Sequence, residues 1–300
     1  MTKIDCTPVE VIGADGNRIV GSLVGEGVPV LMLHGGGQTR HAWEKTASVM
    51  AHGGYAAYTF DLRGHGDSQW VSNEAGYSFG DYARDAGAIA EWLRNETGQQ
   101  PVGVGASLGG LSMIGAQDAK SRFQALALVD IVPRMSQDGA MRIMSFMTAE
   151  VKNGFASLEE AAEAIAAYMP NRKRPRSLDG LRKNMRQRDD GRWHWHWDPD
   201  FVAGGQRSIF ADAPKHLLHF DEAIDRLSLP VLLVRGMSSE IVSEKEARNA
   251  ADRLADGRYV DIAEAGHMIV GDKNDAFSEA LLAFLQEIGA SAHGPTQRAT

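Results

Sequence analysis

The chain opens on an alternating stretch, CTPVEVIGADGNRIVGSLVG, whose polar break at Asp15-Gly16-Asn17 predicts an antiparallel hairpin. After it the period changes. VPVLMLHG from Val28 is a short continuous apolar run, and so are YAAYTFDL, PVGVGAS and FQALALVDIVP. Between these runs lie stretches of helical spacing: HAWEKTASVMAHGG, stopped at Gly53 and Gly54; DYARDAGAIAEWLRNETG, ended by Gly98; and Leu108 to Lys120. Strands separated by helices need right-handed crossovers, so the predicted sheet is mainly parallel and covered on both faces. After Pro133 the rhythm breaks. MRIMSFMTAEVKNGFASLEEAAEAIAAYM reads as helical, and NRKRPRSLDGLRKNMRQRDDGRWHWHWDP is basic and aromatic with no apolar strand. The strand rhythm returns with LPVLLVRG from Leu229, a helix SEKEARNAADRLA, a strand RYVDIAE and a last helix DAFSEALLAFLQEIG. The expected architecture is α/β: a mainly parallel central sheet with helices on both faces and a helical cap inserted after the sixth strand. Residues 1–132 and 226–290 form the two parts of the core, 133–225 the cap, and 291–300 a polar tail.

Composition narrows the function classes. Three hundred residues, 43% hydrophobic and 23% charged, suit one large core with an inserted module. No run reaches the 18 or so apolar residues of a membrane helix, and MTKIDCTPVEV lacks the basic-then-apolar plan of a secretory signal. A cytoplasmic location with no membrane partner is the expectation. A net charge of −8 argues against nucleic acid as a general partner. Cys6 is the single cysteine, which removes an internal disulfide and any cysteine-based metal site.

The chemistry concentrates in Gly103 to Gly110, GVGASLGG, where one hydroxyl stands among glycines directly after an apolar run. Two readings compete. Ser107 caps the helix that follows, or it is the nucleophile of a GxSxG elbow, where glycines allow a strained strand-to-helix turn that exposes the serine oxygen. A nucleophile needs a base, an acid to orient the base, and donors for the oxyanion. His267 lies in AGHM, between RYVDIAE and the last helix, at the carboxyl edge of the sheet where Ser107 also emerges. Two carboxylates reach that edge: Glu240 in RGMSSE, after LPVLLV, and Asp130, which ends ALALVD and whose plainer role is to bond loop amides. For the oxyanion, the turn His34-Gly35-Gly36-Gly37 offers the amide of Gly36 or Gly37, and Leu108 offers the other. HGGG also suits a phosphate turn, but no GxGxxG or Walker lysine follows it.

With LHGGG ahead of a helix carrying Trp43, FDLRGHGDS from Phe60 to Ser68, GASLGG at the elbow and AGHMIVGDKNDAF at the histidine, the chain resembles an α/β-hydrolase-fold serine hydrolase from the hairpin to about residue 289. The resemblance implies the order nucleophile, acid, histidine, which Ser107, Glu240 and His267 follow; Glu240 is the preferred acid and Asp130 the alternative. Glu240 is also where the chain departs from the pattern, since many such proteins carry aspartate there. The resemblance further implies a shaping role for Asp61, Arg63 and His65 in the DLRGHGDS turn. It implies a carboxylic-ester or lactone hydrolase working through an acyl-enzyme, with no metal or organic cofactor and with activity rising with pH as an imidazole base loses its proton. The alternatives on the same triad are a carbon-carbon bond hydrolase and a cofactor-free haloperoxidase or perhydrolase. Outside catalysis, the alternative is a ligand-binding receptor with incidental hydrolysis.

The expected cap bears on the substrate, a small-molecule ester or lactone. Between Asn171 and Arg192 stand nine basic residues (Arg172, Lys173, Arg174, Arg176, Arg182, Lys183, Arg186, Arg188 and Arg192) against Asp179, Asp189 and Asp190. The plainer reading is a solvated face with internal ion pairs; the functional one is that an arginine such as Arg188 meets an anionic group of the substrate. In WHWHW, residues 193–197, an extended backbone puts the three indoles on one face and His194 and His196 on the other, as packing or as a pocket wall. Two histidines so spaced could hold a metal, but Asp198 and Asp200 are more simply turn residues around Pro199, and no metal site is expected. Trp43, Trp195, Trp197 and Arg188 are the expected substrate contacts. Met135, Met141, Met144 and Met147 suit an adaptable apolar underside or ordinary core packing. The pattern carries no signal of oligomeric state.

Overall fold

A computed structural model of the protein describes residues 6–71, 76–169, 177–211, 213–267, 269–272 and 274–290. The expected tail at 291–300 and Arg172, Lys173, Arg174 and Arg176 of the basic stretch lie outside the described residues. Gly16, at φ 76°, turns the chain between β1 (Cys6–Ile12) and β2 (Arg18–Val24), which pair antiparallel as the alternation predicts. The continuous apolar runs become β3 (Val28–Leu33), β4 (Tyr55–Phe60), β5 (Val102–Ala106), β6 (Ala125–Val129) and, further on, β9 (Val231–Gly236), with β10 (Gly257–Ile262) at the edge. Together they form an eight-stranded sheet in the order β1-β2-β4-β3-β5-β6-β9-β10. Only the β1/β2 and β2/β4 pairs are antiparallel.

The pleat divides each central strand between two cores. Leu31 and Leu33 of β3 pack with α2 (Phe79–Thr97) and α3 (Leu108–Ala119), while Val30 and Met32 pack with α1 (Glu44–His52) and α11 (Asn274–Glu287). That double burial is why these strands read as unbroken apolar runs, each buried Val, Leu or Met stabilising the sheet by about 1.5–3 kcal/mol. Capping sets the helix ends. Ser78 and Asp81 form a reciprocal capping box at the start of α2, and Gly98 closes it at φ 73°.

Between β6 and β9 the chain runs through α4 (Gln137–Thr148), α5 (Leu158–Tyr168), α6 (Asp179–Arg182), a ribbon of β7 (Met185–Gln187) and β8 (Trp193–Trp195), α7 (Asp200–Ala203) and α8 (Ala213–Ala223). α9 (Glu244–Arg253) and α10 (Ile269–Asp272) complete the helices. Two details differ from the sequence reading. The helical stretch after Met141 is interrupted, α4 ending at Thr148 and Phe155 exchanging two 2.8 Å backbone hydrogen bonds with Trp193, and the cap expected to be helical also holds the short strands β7 and β8. The methionines also divide: Met147 is buried in the core and Met135 packs against it half-buried, whereas Met141 and Met144 are 53% and 37% exposed. Backbone bonds fasten this segment to the turn after β4, Gly66 N–H donating to His196 O and Asp198 N–H to Gly64 O, both at 2.7 Å. Among the described residues no helix is long and apolar enough to cross a membrane.

Candidate active site

Ser107 sits where β5 turns into α3 with φ 46° and ψ −114°, a strained backbone for a residue with a Cβ. Its neighbours explain how the turn closes. A Cβ on Gly105 would stand 2.5 Å from Gly110 N, and one on Gly109 would stand 2.3 Å from Leu33 O, so strand and helix approach more closely than any side chain allows. The serine does not cap the helix: an N-cap takes extended φ and ψ and its side chain accepts an amide, and Ser107 does neither. The glycines therefore serve to present this hydroxyl.

Parallel strands place four loops on one edge. Ala106 pairs with Val129 and Val129 with Val234, so Ser107, Asp130 and the turn after Gly236 leave adjacent strands side by side, and His267 follows β10. The carboxylate bonded to His267 is Asp130, not the preferred Glu240. Asp130 Oδ2 lies 2.7 Å from His267 Nδ1, and as a carboxylate only accepts, Nδ1 carries the proton. Asp130 is fixed in turn by Gly236 N–H on Oδ1 at 3.0 Å and by the Ser239 hydroxyl on Oδ2 at 2.6 Å, and its own φ is 47°. The turn explains the correction. Ser238 N–H donates to Ala265 O and Ser239 N–H to Gly236 O, which aims Ser239 inward and leaves Glu240 exposed. Glu240 is still close by. With Arg142, Tyr168, Met169 and Ile241 it lines a small cleft beside His267, and burial together with the Glu240 charge pushes the Tyr168 phenol up to about 12. Ser239 is the residue the sequence reading missed; its signal was a hydroxyl one position before the candidate acid.

The glycine turn separates the two expected donors. Gly37 N–H is already committed to His65 Nε2 at 3.1 Å, so that position is corrected: it does not face a ligand. Gly36 lies beside Leu108, whose Cδ2 is 3.8 Å from where a Gly36 Cβ would stand, and the Leu108 amide is in the first turn of α3, where no intrahelical acceptor exists. His34 and His65 are fully buried, and burial holds their imidazoles down, to about 4 and about 3. Deeper in the same turn Arg63 is buried with two bonds to Asp85, at 2.6 and 2.8 Å, and Asp61 accepts the amides of Arg40 and Asp67. These bonds shape the loop.

Of the expected substrate contacts, Trp197 covers Gly37, its Nε1 3.7 Å from that glycine's absent Cβ. Trp195 packs edge-on against Phe146 and Phe155. Trp43 is corrected: it is buried on the α1/α11 face of the sheet, 5.9 Å from Phe277, because the turn before α1 rolls it into that core. Arg188 is also corrected, its guanidinium lying over surface Trp70 at 5.4 Å. The other described cations of the basic stretch are engaged as well: Lys183 by Glu44, Arg186 by Asp67, Arg182 over Trp193, and Arg192 by the carbonyls of Asn153 and Gly154. His194 bonds Asp190 at 2.8 Å. A larger open cleft of about 410 Å³ between Asp15 and Arg207 is lined by groups already used by the fold: the Ser78 hydroxyl donates to Asp81 at 2.7 Å in the capping box of α2, and Arg84 is paired with Asp15 and Asp81.

Comparison with known proteins agrees with this fold. The chain is 31% identical over 258 residues to the esterase Rv0045c of Mycobacterium tuberculosis, which spans 83% of this chain and 80% of that protein. A solved structure of that esterase superposes with a TM-score of 0.72 at 26% identity, covering 95% of this chain and 93% of the other. The pimeloyl-acyl-carrier-protein methyl ester esterase of Aliivibrio fischeri is 26% identical over 270 residues, 88% of this chain and 95% of its own. A family model for the alpha/beta hydrolase fold matches residues 28–274. Because that stretch runs from the first residue of β3 to the first residue of α11 and takes in Ser107, Asp130 and His267 with the strands that carry them, the chain belongs to the α/β-hydrolase fold family.

Proposed function

We propose that the protein is a serine hydrolase that cleaves a carboxylic ester of a small molecule. The observation that carries this reading is the Asp130–His267 bond at the sheet edge where the strained Ser107 turn presents a hydroxyl that no cap consumes. With Nδ1–H held by Asp130, Nε2 of His267 is the nitrogen that takes the Ser107 proton as Oγ attacks the acyl carbon. The carbonyl electrons move to oxygen, which the amides of Leu108 and Gly36 receive, and the N-terminal end of α3 favours the negative charge there. Collapse of the adduct breaks the acyl–alkoxy bond, and the imidazolium returns its proton to the leaving alcohol. Water then enters by the same steps in reverse order, freeing the acid and Ser107. Residues 133–225 act as the cap over this edge, with Trp197 and Phe201 against the glycine turn. The described cations of the basic stretch are partnered within the protein, which favours a substrate recognised without them. The esterase names of the relatives support the reaction class.

Mass spectrometry of the intact protein after a fluorophosphonate probe tests the reading. One adduct is expected, mapping to Ser107 and lost in Ser107→Ala together with turnover of short p-nitrophenyl esters. Unlabelled folded protein, or turnover that survives in Ser107→Ala, would overturn it.

A further inference from the structure

The three consecutive glycines of the turn after β3 pose a physical problem. An oxyanion donor must be aimed before the charge develops, yet glycine gives a backbone its greatest freedom. Each peptide plane around Gly36 is held from outside. Gly35 N–H donates to Gln38 Oε1 at 3.0 Å, His34 Nδ1–H donates to Gly35 O at 2.7 Å, and Gly37 N–H donates to His65 Nε2 at 3.1 Å. Gly35 O and Gly36 N–H share one peptide plane, so the His34 bond holds that plane itself, while the Gln38 and His65 bonds fix the planes before and after it. His65 is suited to its part because its other nitrogen faces Arg63 O at 3.0 Å. A carbonyl only accepts and an amide only donates, so the partners dictate one neutral tautomer, with Nδ1 protonated and Nε2 bearing the lone pair. Burial reinforces that state, since it holds the imidazole protonation down to about 3 and keeps the lone pair available at neutral pH.

We propose that His65 is a positioning residue for the oxyanion site: by accepting Gly37 N–H it aims Gly36 N–H at the acyl oxygen, and it links that aim to the seating of the segment between β6 and β9. The link is structural. His65 and Trp197 form an antiparallel bridge, the Phe201 ring meets the His65 ring edge-on at 4.7 Å, and Gly66 and Gly64 on either side of His65 hold that segment by backbone bonds. Its displacement would loosen the His65 ring and with it the glycine turn. This inference rests on the ester-hydrolase reading of the site.

The test compares His65→Leu, which removes the acceptor, with His65→Gln, whose Oε1 can take the Gly37 amide. Each is assayed with a short p-nitrophenyl ester and with a trifluoromethyl ketone, which gains an oxyanion only when it adds to Ser107. Thermal melting confirms that both variants are folded. His65→Leu is expected to lower kcat by about 10- to 100-fold with KM changed less than about threefold, and to weaken trifluoromethyl ketone binding by the same factor as kcat. His65→Gln is expected to recover most of both. An unchanged kcat in His65→Leu, or a kcat loss that leaves ketone affinity intact and that His65→Gln does not recover, overturns the positioning role alone. Wild-type protein that neither cleaves any ester nor binds the ketone defeats the ester-hydrolase reading, and this inference with it.

Discussion

At the residue scale, the acid is where sequence and structure part. Glu240 and Asp130 both end up near the edge that carries His267, and both satisfy the order nucleophile, acid, histidine. The choice between them turns on side-chain direction. Ser239 occupies the inward position of the turn after β9 and spends its hydroxyl on Asp130, while the next side chain, Glu240, is exposed and lines the cleft beside His267. Asp130→Asn is expected to lower kcat by about 10⁴-fold, because the amide offers Nδ1–H no comparable partner and favours the wrong imidazole tautomer. Glu240→Gln is expected to cost less than about tenfold, through the cleft it lines rather than through the base. Steady-state kinetics on the two variants decide it; the reverse ranking would return the role to Glu240.

At the scale of elements, the turn from β5 to α3 ties sequence pattern to site most directly. The spacing of Gly105 and Gly109 about Ser107 was legible as a motif, and the structure supplies its steric content, since neither position has room for a methyl group. Gly109→Ala is expected to lower unfolding free energy by about 1–3 kcal/mol or more, because its Cβ would meet the backbone oxygen of Leu33, which cannot move without distorting β3. Gly180→Ala in α6, where a Cβ would meet nothing within 4 Å, is the matched control and is expected to be neutral or stabilising by up to about 1 kcal/mol. Urea denaturation of both variants measures the difference, and equal midpoints would contradict the packing argument. Where the reading misled, it passed over a local turn signal, Asn153-Gly154 with Gly154 at φ 63°; the bonds from Phe155 to Trp193 that follow the break are long-range and leave no local pattern.

Across the whole molecule, the glycine turn, the DLRGHGDS turn and the segment between β6 and β9 meet around two buried imidazoles. Burial holds His34 and His65 neutral, at about 4 and about 3 against an ordinary value of 6.5. Above pH 6.5 both the folded and the unfolded chain carry them neutral, and their contribution to stability is fully present. As pH falls toward about 4, the unfolded chain takes up protons that the fold refuses, so stability declines by up to about 1.4 kcal/mol per pH unit for each group. The urea midpoint is therefore expected to drop between pH 6.5 and 4, and His65→Gln to flatten that slope. A variant as acid-sensitive as the wild type would show that the decline has another source.

The sequence by itself determined the α/β architecture, the sheet edge at which the chemistry gathers, and the serine and histidine brought to that edge. Those follow from the hydrophobic period of consecutive residues and from glycines whose missing side chains are a local necessity. Only the tertiary structure decided which carboxylate holds His267, that Gly37 spends its amide on His65, and that Trp43 and Arg188 lie away from the site. Each of these depends on a side chain's direction relative to a group far along the chain, 137 residues in the case of Asp130 and His267. Such directions are set by loop geometry and packing across strands, which leave no period in the sequence to read.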